Sequence, residues 1–184
     1  MSKLLVIDLD QTVIDSSIRE NACYPNGNLC LSKYHTVKTC PNMGIVNDSL
    51  LPFGLWIKDN FYSLSSMFDI VFLTARQVNE YDLSSFDLLG LTPMFTDFRA
   101  RIITRLDVGF YGGDPTEQNS GLYKAPVIAT IKKCGNYKSI IVVDDCQKVL
   151  NMARENNYHP ICARELYHYT RRDFEKLFTI LSKR

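Results

Sequence analysis

The chain has 184 residues, of which 46% are apolar and 22% charged, and its formal net charge is +1 at pH 7. This composition is typical of one soluble globular domain, and it excludes a strongly basic chain, so only a local patch could recognise a nucleic acid. No apolar run approaches the roughly 20 residues of a membrane span, and a strand-like segment begins directly at the N-terminus, so we expect a cytoplasmic protein without a signal peptide or a membrane partner.

The first predicted strand, about Lys3 to Leu9, ends among the acids Asp8 and Asp10. The segment from 20 to 47 then carries prolines and glycines that break regular structure, so we expect a small cap insertion there. Asp48 is predicted to cap a helix that continues to about Met67.

Strands and helices alternate along the rest of the chain. In order, they are a strand at 69–73, a helix at 79–89, a strand at 101–104, a helix that Lys124 and Pro126 begin and that ends near 133, a strand at 139–143, a helix at 147–157, a strand at 159–163, and a helix capped by Thr170 and Asp173. This alternation predicts a single Rossmann-like α/β domain over residues 1–184, with a parallel sheet covered by helices on both faces.

Polar residues follow several of these strands. Because parallel strands place their carboxyl ends at one edge of a sheet, we expect a shared site there. Its candidate residues are Asp8, Asp10, Thr74, Lys124, Asp144 and Asp145. The carboxylates would gather one hard cation, with Mg²⁺ the best candidate, while a hydroxyl and an ammonium group hold a phosphoryl group. One carboxylate could attack phosphorus while another moves protons, which is sufficient for phosphomonoester hydrolysis.

Four motifs, in this order, resemble those of the haloacid dehalogenase superfamily of phosphohydrolases, and the resemblance covers nearly the whole chain. They are Asp8-Leu9-Asp10-Gln11-Thr12, Leu73-Thr74-Ala75-Arg76, Lys124 before a helix, and Val142-Val143-Asp144-Asp145. The resemblance implies that Asp8 is the nucleophile and Asp10 the general acid and base. It also implies that Mg²⁺ is bound by the Asp8 carboxylate, the Asp10 main-chain carbonyl and Asp145, with Asp144 in or near that shell. Gln11 stands where the family most often has glycine.

The pattern after the second motif looks most like the 3′-phosphatase domain of bacteriophage polynucleotide kinase and related viral phosphatases. The implied partner is therefore a nucleic-acid 3′-phosphate end or a phosphorylated small molecule such as a nucleotide, and a viral protein would act in the host cytoplasm. Candidate substrate-binding residues are Thr12, Arg76 and Arg105, although the two arginines could equally form salt bridges on a solvated rim. The chain has no Gly-x-x-x-x-Gly-Lys motif and hence no kinase half.

The predicted cap holds a second candidate metal site. Cys23, Cys30, His35 and Cys40 could bind a structural Zn²⁺, or the cysteines could pack in the cap without a ligand. A second class of function follows from the first alternative, namely a catalytically vestigial module of the same fold whose cap binds nucleic acid or protein. The intact acids at the predicted site favour the enzyme. The sequence predicts no particular oligomeric state.

Overall fold

The computed structural model describes residues 2–18, 48–78 and 80–183. The strands in these ranges are β1 (Lys3–Ile7), β2 (Ile14–Asp15), β3 (Ser49–Leu50), β4 (Asp69–Leu73), β5 (Ala100–Ile103), β6 (Ser139–Asp144) and β7 (His159–Cys162). Five of them form one parallel sheet in the order β5-β4-β1-β6-β7. The short strands β2 and β3 pair antiparallel, so they bring together the described residues on either side of segment 19–47.

Helices cover both faces of this sheet. Those with bounds inside the described ranges are α1 (Pro52–Ser65), α2 (Glu80–Leu88), α3 (Thr92–Thr96), α4 (Ser120–Gly135), α5 (Gln147–Glu155) and α6 (Arg171–Lys183). Short 3-10 helices lie at Val108–Tyr111 and Ala163–His168. Among the described helices, none is long and apolar enough to cross a membrane. The predicted α/β architecture with a parallel sheet is confirmed.

The sheet separates two apolar cores because successive side chains of a strand point to opposite faces. In β1, Leu5 and Ile7 belong to the core that contains the buried residues of α1 and α6, whereas Leu4 and Val6 belong to the core that contains those of α4 and α5. Burial on both faces accounts for the continuous apolar runs that predicted the central strands.

The strand order places a crevice beside β1. From β1 the chain moves outward to β4 and β5, and it then returns to the other side of β1 to form β6 and β7. The carboxyl ends of β1 and β6 therefore flank the topological switch point, which is where open α/β sheets bind ligands. The amide of Asp8, just after β1, donates a hydrogen bond of 3.0 Å to the carbonyl of Val143 in β6.

A glycine allows α1 to pack against the turn that follows β1. A Cβ atom at Gly54 would lie 2.2 Å from the carbonyl oxygen of Val13, which also accepts a hydrogen bond of 3.0 Å from the amide of Leu51. No other residue type fits this approach without displacing the backbone, so Gly54 fixes the turn on which the first motif lies.

Asp48 does not cap α1, contrary to the sequence-based prediction. The helix begins at Pro52, and Leu51 occupies its N-cap position without a side-chain hydrogen bond. The Asp48 carboxylate instead lies 3.6 Å from the guanidinium of Arg76 and accepts a hydrogen bond of 3.4 Å from the hydroxyl of Ser85. A buried cation therefore determines the position of Asp48.

The helix that carries the third motif begins earlier than predicted. It starts at Ser120, and the side chain of Asn119 caps it by accepting a hydrogen bond of 3.0 Å from the amide of Gly121. Lys124 and Pro126 consequently lie inside α4.

The last helix was predicted correctly, and one short helix was missed. At the start of α6, the Asp173 carboxylate accepts hydrogen bonds from the amide and hydroxyl of Thr170, and the Thr170 hydroxyl accepts one of 3.4 Å from the Asp173 amide. This reciprocal pair is the predicted capping box. The helix α3 was not predicted.

Candidate active site

Three carboxylates meet at the switch point. Asp8 directly follows β1, Asp144 is the last residue of β6, and Asp145 follows it. Each offers an oxygen that lies within 4.8 Å of the oxygens offered by the other two. Asp8 and Asp144 are buried, so their mutual repulsion must be offset by cations.

Lys124 supplies the first of these cations from α4. Its Nζ donates hydrogen bonds of 2.6 Å to Asp8 Oδ1 and 2.7 Å to Asp144 Oδ2. Burial alone would lower the pKa of Lys124, but the charges of Asp144 and Asp8 raise it well above its ordinary range. The lysine therefore stays charged and ties the nucleophile candidate to the end of β6.

Burial raises the pKa of Asp8 well above its ordinary value, and the charges of Asp144 and Asp10 act in the same direction, although Lys124 opposes them. Burial also raises the pKa of Asp145. The three carboxylates outnumber the buried cation that lies among them, Lys124. Three carboxylates at this spacing fit a hard divalent cation such as Mg²⁺, which prefers oxygen ligands.

Asp10 is held by an arginine that is only 1% exposed. Arg76 donates hydrogen bonds to both carboxylate oxygens of Asp10, from Nε to Oδ2 at 2.8 Å and from Nη2 to Oδ1 at 2.5 Å. It also donates to Asp82 Oδ1 at 3.1 Å and lies 3.6 Å from Asp48. Burial by itself would lower the pKa of Arg76, and the three acids raise it. The guanidinium therefore fixes the orientation of the Asp10 carboxylate.

This geometry bears on the two predicted environments of Arg76. The alternative that Arg76 forms salt bridges is confirmed, but its place on a solvated rim is wrong, since the side chain is buried among three carboxylates. Asp82, on α2, and Asp48, just before β3, had not been singled out as part of the site. No local signal marks them, because they reach Arg76 only through the tertiary fold.

Thr74 lies at the carboxyl end of β4 and is fully buried. Its hydroxyl accepts a hydrogen bond of 3.1 Å from the amide of Arg76, and its carbonyl accepts one of 3.0 Å from the hydroxyl of Tyr123. The proton of the Thr74 hydroxyl can therefore be donated to a ligand. Burial raises the pKa of Tyr123 to about 12, so this phenol remains a donor at neutral pH.

Arg105, two residues after the end of β5, supports the same loop. Its Nε donates a hydrogen bond of 3.0 Å to the carbonyl of Ala75, and its Nη1 donates one of 2.6 Å to the carbonyl of Pro115. The guanidinium also lies 4.6 Å from the centre of the Tyr123 ring. Thr12, the remaining candidate for substrate binding, is buried, and its hydroxyl has no hydrogen-bond partner among the described residues.

Two further residues at the site, to which the sequence analysis gave no role, lie on the 3-10 helix at Ala163–His168. Arg164 Nη2 donates a hydrogen bond of 3.2 Å to Asp145 Oδ2, and the hydroxyl of Tyr167 donates one of 2.5 Å to the carbonyl of Gln11. This helix follows β7 directly, so it lies at the same edge of the sheet as the carboxylates. The rule that strand ends carry the site would have indicated it.

Gln11 has a φ of 56°, in the left-handed region that favours glycine. The backbone here therefore suits the glycine that the resemblance to the superfamily implies at this position. The turn nevertheless closes, with the Gln11 amide donating a hydrogen bond of 2.7 Å to the carbonyl of Ile14.

The candidate zinc ligands Cys23, Cys30, His35 and Cys40 lie outside the described residues, as does the predicted cap at 20–47. Both stay predictions.

Comparisons with known proteins agree with this fold. Superposition on a solved structure, a hydrolase of the haloacid dehalogenase-like family from Streptococcus pneumoniae, gives a TM-score of 0.62 at 16% identity and covers 97% of this chain and 98% of that chain. The fold is therefore of the haloacid dehalogenase type, as the four motifs predicted. Residues 1–171 match the family model described as bacteriophage T5 5′-deoxynucleotidase, and the chain belongs to that family. No curated protein sequence matches the chain.

Proposed function

We propose that this protein is a Mg²⁺-dependent phosphatase that hydrolyses the 5′-phosphate of deoxynucleoside monophosphates through a phosphorylated Asp8. The observation that carries the proposal is the cluster of Asp8, Asp144 and Asp145 with Lys124 at the switch point, in a chain that belongs to a 5′-deoxynucleotidase family.

The carboxylates of Asp8, Asp144 and Asp145, with the main-chain carbonyl of Asp10, would hold the metal. Bound Mg²⁺ would offset the negative charge of these acids and of the substrate's phosphate oxygens. Lys124 keeps one oxygen of Asp8 in place through its hydrogen bond of 2.6 Å, so the other oxygen can face the substrate. The hydroxyl of Thr74 would donate a hydrogen bond to the phosphoryl group.

In the first step a carboxylate oxygen of Asp8 attacks phosphorus, and the bond between phosphorus and the 5′ oxygen breaks. Asp10 gives its proton to the departing 5′ oxygen, because an alkoxide leaves poorly without one. In the second step Asp10 takes a proton from water, the water oxygen attacks phosphorus, and inorganic phosphate leaves Asp8. Arg76 supports both steps by holding the Asp10 carboxylate in a fixed orientation.

The choice of substrate rests on the family match, since the motifs alone also resemble phosphatases of nucleic-acid 3′ ends. We favour the 5′-mononucleotide because the match covers the whole described site, from the first motif to the 3-10 helix that carries Arg164.

A panel of phosphomonoesters tests the proposal. Purified protein with Mg²⁺ is given 5′- and 3′-deoxynucleoside monophosphates, a 3′-phosphorylated oligonucleotide and a sugar phosphate, and phosphate release is measured. We expect the highest kcat/KM on the 5′-deoxynucleotides. The Asp8→Asn variant should release no phosphate, since a carboxamide cannot attack, whereas Asp59→Asn, which changes an exposed acid on α1, should match the wild type.

The alternatives give different results in this assay. A preference for the oligonucleotide end would overturn the proposed substrate and support the polynucleotide-phosphatase resemblance. No release from any monoester by folded protein would overturn the enzyme and support the vestigial binding module.

A further inference from the structure

Arg164 is the exposed cation of the site. Its side chain is 68% exposed, whereas that of its partner Asp145 is 16% exposed. The guanidinium makes a single hydrogen bond to the described residues, of 3.2 Å to Asp145 Oδ2. An ion pair of this kind, solvated and not bidentate, contributes little to stability, so it separates easily.

The other cation in contact with the carboxylate cluster behaves differently. Lys124 is buried and is bound at 2.6 and 2.7 Å to Asp8 and Asp144. It cannot leave these acids without stranding them in an apolar environment. Of the two cations, Arg164 is therefore the one that can change partners.

The charges of the site require such a change. One bound divalent cation and Lys124 would together offset the three carboxylates of the cluster. A phosphomonoester dianion would then add negative charge that these two cations no longer offset. Arg76 cannot supply the missing charge, because three carboxylates already surround its guanidinium.

We infer that Arg164 is a substrate-binding residue that pairs with Asp145 in the metal-free protein and with the phosphate of the bound nucleotide once Asp145 turns to the metal. The inference rests on the proposed function and names a residue outside the four sequence motifs. A guanidinium suits this role because its planar set of donors matches phosphate oxygens, and because its long exposed side chain can reorient without disturbing the core.

The exchange predicts effects of opposite sign on two ligands. Arg164 competes with the metal for Asp145, so removing its charge should strengthen Mg²⁺ binding. The same change removes a donor to phosphate, so it should weaken binding of the substrate and of inorganic phosphate. A residue that merely supported the loop would affect both ligands in the same direction.

The test uses the full chain with Arg164→Gln, which removes the charge, and Arg164→Lys, which keeps the charge without the planar fork. The matched control is Arg171→Gln, since Arg171 is 72% exposed and pairs with Glu175 at 3.1 Å on α6, as part of a helix outside the site. Mg²⁺ binding is followed through the Tm in the absence of substrate. Binding of inorganic phosphate is measured by calorimetry at saturating Mg²⁺, and KM and kcat are measured on a 5′-deoxynucleotide.

For Arg164→Gln we expect a given rise in Tm at a Mg²⁺ concentration about two- to five-fold lower than for the wild type. Phosphate affinity should fall and KM should rise by about ten-fold or more, with a much smaller change in kcat. For Arg164→Lys, the Mg²⁺ concentration, phosphate affinity and KM should lie between those of Arg164→Gln and those of the wild type. Arg171→Gln should match the wild type in all three. Weaker Mg²⁺ binding, or unchanged phosphate binding, in Arg164→Gln would overturn the inference. The Mg²⁺ and phosphate binding measurements need no turnover, so they decide the inference even if the wild type does not hydrolyse nucleotides. Such a failure of hydrolysis would contradict the proposed function alone.

Discussion

Replacing Arg76 by methionine should destabilise the protein strongly. The substitution keeps much of the side-chain volume but leaves Asp10, Asp48 and Asp82 without their shared cation. Asp48 and Asp82 are buried, so water cannot compensate them. Removing one partner of a buried ion pair costs about 3–5 kcal/mol, and in a domain of this size the Tm falls by about 2–4 °C per kcal/mol, which gives a decrease of roughly 6–20 °C.

The pH dependence of this loss distinguishes a stranded charge from a packing defect. Protonation neutralises unpaired carboxylates, so the difference in Tm between Arg76→Met and the wild type should shrink as pH falls below neutrality. A cavity or a steric clash would cost the same at every pH. Thermal melts at several pH values in the presence of a chelator measure this directly.

Two further variants complete the experiment. Adding Asp82→Asn to Arg76→Met removes one stranded charge and should restore part of the lost Tm. Arg99→Met is the matched control, since Arg99 is exposed and lies 3.9 Å from Asp97, and it should change the stability by less than about 0.5 kcal/mol. If Arg76→Met melted at the same temperature as Arg99→Met, the assignment of a buried charge network around Arg76 would be refuted.

Three other predictions concern the turn after β1 and the helix against it. Burial raises the pKa of Asp8, so in the metal-free protein the contribution of this group to stability should fall as pH rises above about 3.9, the value for the unfolded chain. Asp8→Asn should remove that contribution, so the difference in Tm between the variant and the wild type should change with pH in chelator-treated melts. Gly54→Ala should cost about 1–3 kcal/mol in urea unfolding through its contact with Val13, whereas Gly109→Ala, which meets nothing within 4 Å, should be tolerated. Gln11→Gly should raise stability by up to about 1 kcal/mol by relieving the left-handed φ, with phosphatase activity retained; a loss of stability would show that the Gln11 side chain matters more than its backbone.

The sequence was sufficient for the residues that lie at strand ends. Asp8, Thr74 and Asp144 follow short apolar runs, and a parallel sheet has only one edge at which such runs can all finish. Their convergence therefore follows from the order of the elements alone. Lys124 was also found, through its motif, although the start of its helix was misplaced.

The two errors at helix starts have a common physical origin. The residue types that favour a helix start are also found in other structural positions. An aspartate before a helix can cap it, yet Asp48 instead faces a buried arginine that is distant in sequence. A proline favours the first turn of a helix, yet Pro126 lies within α4, whose cap is Asn119. Tertiary contacts determine which of the two roles such a residue takes, and these contacts cannot be predicted from a single sequence. Arg164 is a different case, since it lies just after β7 and the rule that strand ends carry the site would have indicated it.

The central claim is that Asp8 carries the phosphoryl group during hydrolysis. The most direct measurement is acid-quench trapping with Mg²⁺ and a 5′-deoxynucleotide labelled in its phosphate, followed by peptide mapping of the labelled protein. The wild type is quenched at short reaction times, because Asp10→Asn would slow the formation of the phosphoenzyme as well as its hydrolysis. We predict label on the peptide that contains Asp8, and none in Asp8→Asn. Phosphate release without any trapped label, or label on another residue, would contradict the mechanism.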